Sequence, residues 1–319
     1  MATHAWAQPA ARSLVERLGF PAGTRLVVIN ADDAGLLHSA NVATLEALRA
    51  GLVGSATVMT PSPWFPELAT LAGNTKFDFG VHLTFTSEWE GFRFGPVLGA
   101  SAVPSLVDKR GYLRADVASF HAHATPADAE AEGAAQIQRA LDAGLDVSHL
   151  DMHMHALGLD ARFFDAYLHL AERFDLPVRF IPPSEDVRRD QANRLRRAGI
   201  VFQDQIIVGA DLEPGESLQA YWRRKLHAIA PGVTELYVHL SLDAAELRAM
   251  TGERPFRTGW RDRVEEHRIF TSDVELRRIL DAEGVKLVRW MDLRELQRRE
   301  RADARQRPES PGRVPAKPL

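Results

Sequence analysis

Apolar positions along this chain fall into short β-branched runs separated by longer stretches with helical spacing. The runs at 25–30, 55–60, 77–83, 146–152, 178–181, 200–203, 234–240 and 285–288 predict strands. Apolar residues three and four apart predict helices over 11–18, 39–50, 64–72, 127–143, 161–174, 186–197 and 217–229, one or two helices over 260–280, and a last helix over 292–299. Gly51 and Gly144 stand where helices stop, and Pro61, Pro63 and Pro182 where strands stop. Such strand–helix alternation means a parallel sheet with helical crossovers, either a closed barrel or an open doubly wound sheet. No G-x-G-x-x-G and no G-x-x-x-x-G-K-S/T follows a strand, which weakens a nucleotide-binding reading.

The rhythm breaks at 84–127, a stretch rich in Gly, Pro and aromatic residues, including Trp89, Phe92 and Phe94. Solvated linkers lack large apolar rings, so this insertion is expected to pack as a functional loop. Residues 1–23 read as an N-terminal extension, 24–300 as a single domain and 301–319, almost without apolar residues, as a disordered tail.

Composition narrows the function classes. The chain has 319 residues, 45% apolar and 26% charged, with 43 acidic against 39 basic residues. That balance leaves no basic footprint for nucleic acid. There is no cysteine, so thiol catalysis and cysteine-bound zinc are excluded. No run reaches membrane-spanning length, and Arg12, Glu16 and Arg17 interrupt the N-terminal segment where a signal peptide needs an apolar core. A cytoplasmic enzyme is the expectation, and a homodimer is the commonest default for an oligomer.

The candidate chemistry gathers at strand ends. The first strand runs into Asn30-Ala31-Asp32-Asp33, two adjacent carboxylates that are costly to bury without a cation. The third ends at His82, the fourth carries His149-x-Asp151-x-His153-x-His155, and the strand at 234–240 carries His239. A lone histidine at a strand end is more often a hydrogen-bonded structural residue. Four strand ends of this kind are hard to explain by packing, and barrel active sites are built there. With a period of two, residues 149, 151, 153 and 155 share one face for as long as the strand lasts. A consistent site follows, with Asp33, His82 and His153 as ligands of one divalent metal ion, leaving room for water and substrate. Asp32 is then the general base, and His239, from the opposite side of a barrel, the acid. Such a site describes a hydrolase.

These stretches resemble a known family, the YdjC/ChbG-like carbohydrate deacetylases. The matching segments are Asn30-Ala31-Asp32-Asp33-Ala34-Gly35, Gly80-Val81-His82-Leu83-Thr84 and His149-Leu150-Asp151-Met152-His153-Met154-His155, within roughly residues 25–290. The segments around Thr86-Ser87-Glu88-Trp89, Gly95-Pro96-Val97 and Ser105-Leu106-Val107-Asp108 look like a subgroup sometimes linked to hopanoid biosynthesis. The resemblance implies an α/β fold, a distorted (β/α) barrel of mostly parallel strands, and removal of an acetyl group from an N-acetylated sugar. It implies the same ligands, Asp33, His82 and His153, and Asp32 as base. The family ion is commonly magnesium, while two histidines and a carboxylate suit zinc, cobalt or manganese as well. Asp151, His155, Arg179 and Trp89 are the expected supporting or substrate-facing residues, Arg179 as the partner that orients Asp32. Glu265 and Glu266 are either such groups or a solvated helix face.

Two further readings compete. Two histidines and a carboxylate also make the facial triad of non-haem iron oxygenases, which usually use an all-β fold. The chain departs from the family pattern at Ala34, where the family has Phe, and at Leu240-Ser241, where it has Pro-Gly, which suits a catalytically silent carbohydrate-binding barrel.

Overall fold

A computed structural model of the chain describes residues 12–73, 75–182, 184–208, 211–252 and 259–306. The run Leu26-Val27-Val28-Ile29 is buried on both faces, which is why its strand is continuously apolar rather than alternating. The elements follow one another as α1 (Leu14–Arg17), β1 (Arg25–Ala34), α2 (His38–Ala50), β2 (Ser55–Val58), α3 (Phe65–Ala72) and β3 (Asp78–Leu83). Next come α4 (Val117–His123), α5 (Pro126–Asp142), β4 (Val147–Met152), α6 (Ala161–Phe174), α7 (Glu185–Arg197) and β5 (Gln205–Ile207). The chain then forms α8 (Leu218–His227), β6 (Gly232–His239), α9 (Ala245–Thr251), α10 (Trp260–Ser272), α11 (Val274–Ala282), β7 (Lys286–Leu287) and α12 (Trp290–Gln306).

All strand pairs are parallel, in the order β4-β3-β2-β1-β6-β5, with β7 beside the start of β1. The sheet curls into a half-barrel wrapped by helices, an α/β fold in one domain, as expected. Across the open side run the segments expected as strands at 178–181 and 200–203. They make an isolated bridge and a lone bond instead of ladders: Leu150 N–H donates to Pro177 O (3.0 Å) and Arg179 N–H to Leu150 O (2.9 Å), while Val178 N–H donates to Val201 O (3.0 Å). Pro177 and Pro182 bracket the first segment and deny it the donors a ladder needs.

Sequence punctuation set most boundaries. Gly51, at φ +78°, ends α2, and Asp160 and Asp175 cap the two ends of α6. Asp273 splits the 260–280 region into α10 and α11, capping the second with its side chain. The insertion packs. Phe85, Trp89, Phe94, Leu113 and Phe120 are buried in the main core, and Glu132 and Gln136 of α5 bind its backbone. A second apolar cluster, with Leu14, Val15, Val28 and Trp290, closes the N-terminal ends of the strands, so part of the 1–23 extension belongs to the body. Helix α12 continues through Arg301, which pairs with Asp175, to Gln306, six residues into the segment expected as a tail. The rest of that segment, 307–319, lies outside the described residues. No helix among the described residues is long and apolar enough to cross a membrane.

Candidate metal centre

Strand β1 reaches four residues further than its apolar run, to Ala34, so both aspartates lie within it. The register against β2 shifts between Ala31 and Ala34, and Asp33 takes a left-handed backbone, φ +62°. This irregularity, not plain strand alternation, turns the two carboxylates in different directions.

Asp33 Oδ1 lies 3.3 Å from His82 Nε2 and 3.5 Å from His153 Nδ1, and those two nitrogens are 3.3 Å apart. Ligand atoms about 2.1 Å from one ion stand about 3.0 Å apart at octahedral angles and about 3.4 Å at tetrahedral ones. The triangle therefore fits a divalent cation. Asp33 Oδ1 is buried and has no hydrogen-bond partner among the described residues, an acceptor that a cation would satisfy. The outer nitrogens of both rings meet carboxylates. His82 Nδ1 is 2.7 Å from Asp151 Oδ1, and His153 Nε2 is 3.0 Å from Glu88 Oε1. Such pairs fix the ring tautomer so that the inner nitrogen is left as the one that would meet an ion. The field favours positive charge. Burial opposes it, but Asp151, then Asp33 and Asp32, raise the His82 pKa to about 10. Glu88 and Asp33 likewise outweigh burial and raise that of His153 to about 9.

Asp32 faces a different partner. Arg179, 1% exposed, donates from Nη1 and Nη2 to its two oxygens at 2.7 and 2.8 Å, and Asn30 Nδ2 adds a third bond at 2.9 Å. Burial favours the neutral acid, but Arg179 overrides it and holds the carboxyl well below the usual range. Arg179 also reaches Asp151 and Glu235, so it is no surface arginine. His239 does not come from the opposite side. Strand β6 lies directly beside β1 because its ladder starts at Arg25 opposite Gly232, and His239 is the register partner of Asp32.

The histidine run divides. Strand β4 stops at Met152, and Met154 (φ +52°) and His155 (φ +56°) turn through the left-handed region, which ends the two-residue period. His153 joins the cluster. His155 turns toward the Tyr237 hydroxyl, 3.4 Å away, and burial with nearby Arg179 lowers its pKa to about 4. His149 stays deeper, stacked 4.6 Å from Trp290, and burial keeps it neutral. Trp89 is 2% exposed and stacks on His153 at 5.6 Å, as a wall of the site.

Three groups escaped the sequence reading. Arg263, buried on α10, donates to Asp33 Oδ2 at 2.6 Å, leaving Oδ1 for the cluster. Glu88 comes from the insertion, and Glu235 is a lone carboxylate inside an apolar strand, a signal that could have found it. Of the adjacent glutamates, Glu265 pairs with Arg268 at the surface, while Glu266 is buried and accepts the backbone N–H of His239 at 2.7 Å. A cavity of about 300 Å³ opens over the cluster, with Asp32, Asp33, Glu88, Trp89, His239 and Arg263 among its walls.

Residues 26–282 match the family described as YdjC-like protein. A carbohydrate deacetylase of Thermus thermophilus is 31% identical over 243 residues, 74% of this chain and 85% of that protein. A carbohydrate deacetylase of Brevibacillus brevis is 29% identical over 272 residues, 84% of this chain and 99% of that one. A crystal structure of an Enterococcus faecalis protein named for cellobiose-phosphate cleavage superposes with a TM-score of 0.73 at 24% identity, over 85% of this chain and 99% of the other, and shows the shared fold. The chain belongs to the YdjC-like family.

Proposed function

We propose that this chain is a metal-dependent carbohydrate N-deacetylase, splitting the amide of an N-acetylated sugar into acetate and amine. One observation carries the reading: three ligand atoms converge on a single point beside an ionised aspartate, at the floor of a cavity. The carbohydrate deacetylases of Thermus thermophilus and Brevibacillus brevis support the substrate class. Asp33, His82 and His153 would hold the ion, and their donor set favours Mn²⁺, Co²⁺ or Zn²⁺ over Mg²⁺. When bound, such an ion polarises the amide carbonyl and acidifies water.

The chain's own residues do the rest. Arg179 and Asn30 keep Asp32 ionised across the neutral range, so it is always free to accept the proton of the attacking water. His239, its ladder neighbour, delivers a proton to the departing amine nitrogen. Asp151 and Glu88 hold the two imidazoles in one orientation, and Trp89 keeps water off the His153 side. At about 300 Å³ the cavity is at the small end for ligand sites and suits a single sugar residue. The parallel α/β half-barrel is not the all-β frame that non-haem iron oxygenases usually use.

Acetate release from N-acetylglucosamine oligomers, with elemental analysis of the purified protein, tests the reading. Asp32→Asn should keep its metal and lose at least about 10²-fold in kcat. His153→Ala should lose the metal. If both variants match a parent that turns the substrate over, the assignment is wrong.

A further inference from the structure

Below the cavity, one guanidinium serves three buried carboxylates. Arg179 binds both oxygens of Asp32 and, through Nη1, Asp151 Oδ2 at 2.8 Å. Its other edge meets Glu235 Oε1, from Nε at 3.0 Å and from Nη2 at 2.9 Å. Glu235 is fully buried on β6, and the same Oε1 accepts the Trp290 indole N–H at 3.0 Å. The Tyr237 ring packs 4.5 Å from the guanidinium carbon. Asp151 carries His82, and Asp32 faces the cavity, so Arg179 joins the base to the orientation of a ligand.

Two carboxylates alone would draw the guanidinium toward the cavity. A third acceptor on the Nε edge, itself tethered by Trp290, opposes that pull and fixes the plane of the fork. We infer that Glu235 is a positioning residue, which acts through Arg179 to hold Asp32 and Asp151 in their working arrangement; this rests on the reading of the site given above. Only Oε1 of Glu235 is engaged, while Oε2 has no hydrogen-bond partner among the described residues. A glutamine supplies the same acceptor oxygen. Burial, against the pull of Arg179, raises the Glu235 pKa to about 7, so an uncharged replacement is a mild change.

The test uses the full-length protein with Glu235→Gln, Glu235→Ala and Trp290→Phe. Glu235→Gln should stay within about threefold of the parent kcat. Glu235→Ala should lose about tenfold or more in kcat with little change in KM, because a displaced base misaligns the chemistry rather than binding. If Glu235→Ala does not fold, Trp290→Phe, which keeps the ring and removes the N–H, should likewise lower kcat with little change in KM. Crystal structures of the parent and a folded variant provide a readout that needs no activity. Arg179 should leave Asp32 or Asp151 in Glu235→Ala, or in Trp290→Phe. An unmoved Arg179, or a folded Glu235→Ala or Trp290→Phe protein with the parent's kcat, overturns the inference. So does a Glu235→Gln protein as impaired as Glu235→Ala. A parent that releases no acetate sinks the deacetylase reading instead, and the crystal structures still decide the role of Glu235.

Discussion

At the scale of single residues, the nitrogens of His82 and His153 that would hold a metal ion are also open to protons. Both are buried, and Asp151 and Glu88 help raise their pKa values to about 10 and about 9, against 6.5 for a free imidazole. A histidine whose pKa rises on folding stabilises the fold fully below the unfolded value and loses that contribution as pH climbs through the folded one. The Tm of chelated protein should therefore fall as pH rises from 6.5 to about 9. Added Mn²⁺ should restore Tm most at the alkaline end, where protons no longer compete for the rings. Thermal melts with and without chelator across that window check this, and a flat or rising chelated Tm counts against it. The residue types of the site were legible because few other roles explain histidine and aspartate at strand ends. Arg263 was not, since it lies 230 positions from Asp33 and looks like any helix-face arginine.

At the scale of elements, irregularities in the strands aim the side chains. The register shift at the end of β1 separates Asp32 from Asp33, and another between Phe79 and Val81 seats β3 against β4. Gly80 sits at that second shift, and a Cβ there would stand 2.5 Å from the His149 ring and 2.7 Å from its carbonyl oxygen. The backbone oxygen cannot yield cheaply, so Gly80→Ala should destabilise the fold by about 1–3 kcal/mol. Denaturant unfolding measures that loss, and parent-like stability would falsify the packing argument. Apolar runs told where most strands lie. They misled at 178–181 and 200–203, where the right composition met a geometry that allows no more than an isolated bridge and a lone hydrogen bond. Propensity reports a residue's fitness for a pleated surface, not whether a neighbouring strand is there to pair with.

At the scale of the molecule, the 84–127 insertion is part of the body and completes the centre. Glu132 of α5 accepts the N–H groups of Val97 and Leu98 at 2.8 and 3.1 Å and so pins the insertion's backbone. Through it Glu88 reaches His153, and Trp89 covers the same ring. Glu132→Ala leaves those donors without their acceptor, at a cost of about 1–3 kcal/mol. Limited proteolysis should then cut between 86 and 114 faster than in the parent, and apparent metal affinity should drop. Unchanged cleavage would show the insertion is anchored elsewhere.

Local chemistry in the sequence was enough for the α/β class, for most helices and strands and for the types of residue that gather at the strand ends. Those signals depend on periodicity, breakers and the cost of burying charge, all of which act over a few residues. Tertiary structure decided the rest. It made His239 the neighbour of Asp32, sent His149 down to Trp290, and drew Arg179, Arg263, Glu88 and Glu235 into one network. Strand order and register are collective properties of the closed core, so no local pattern specifies them. The adjacent aspartates owe their different partners to that collective order, which places one arginine on each.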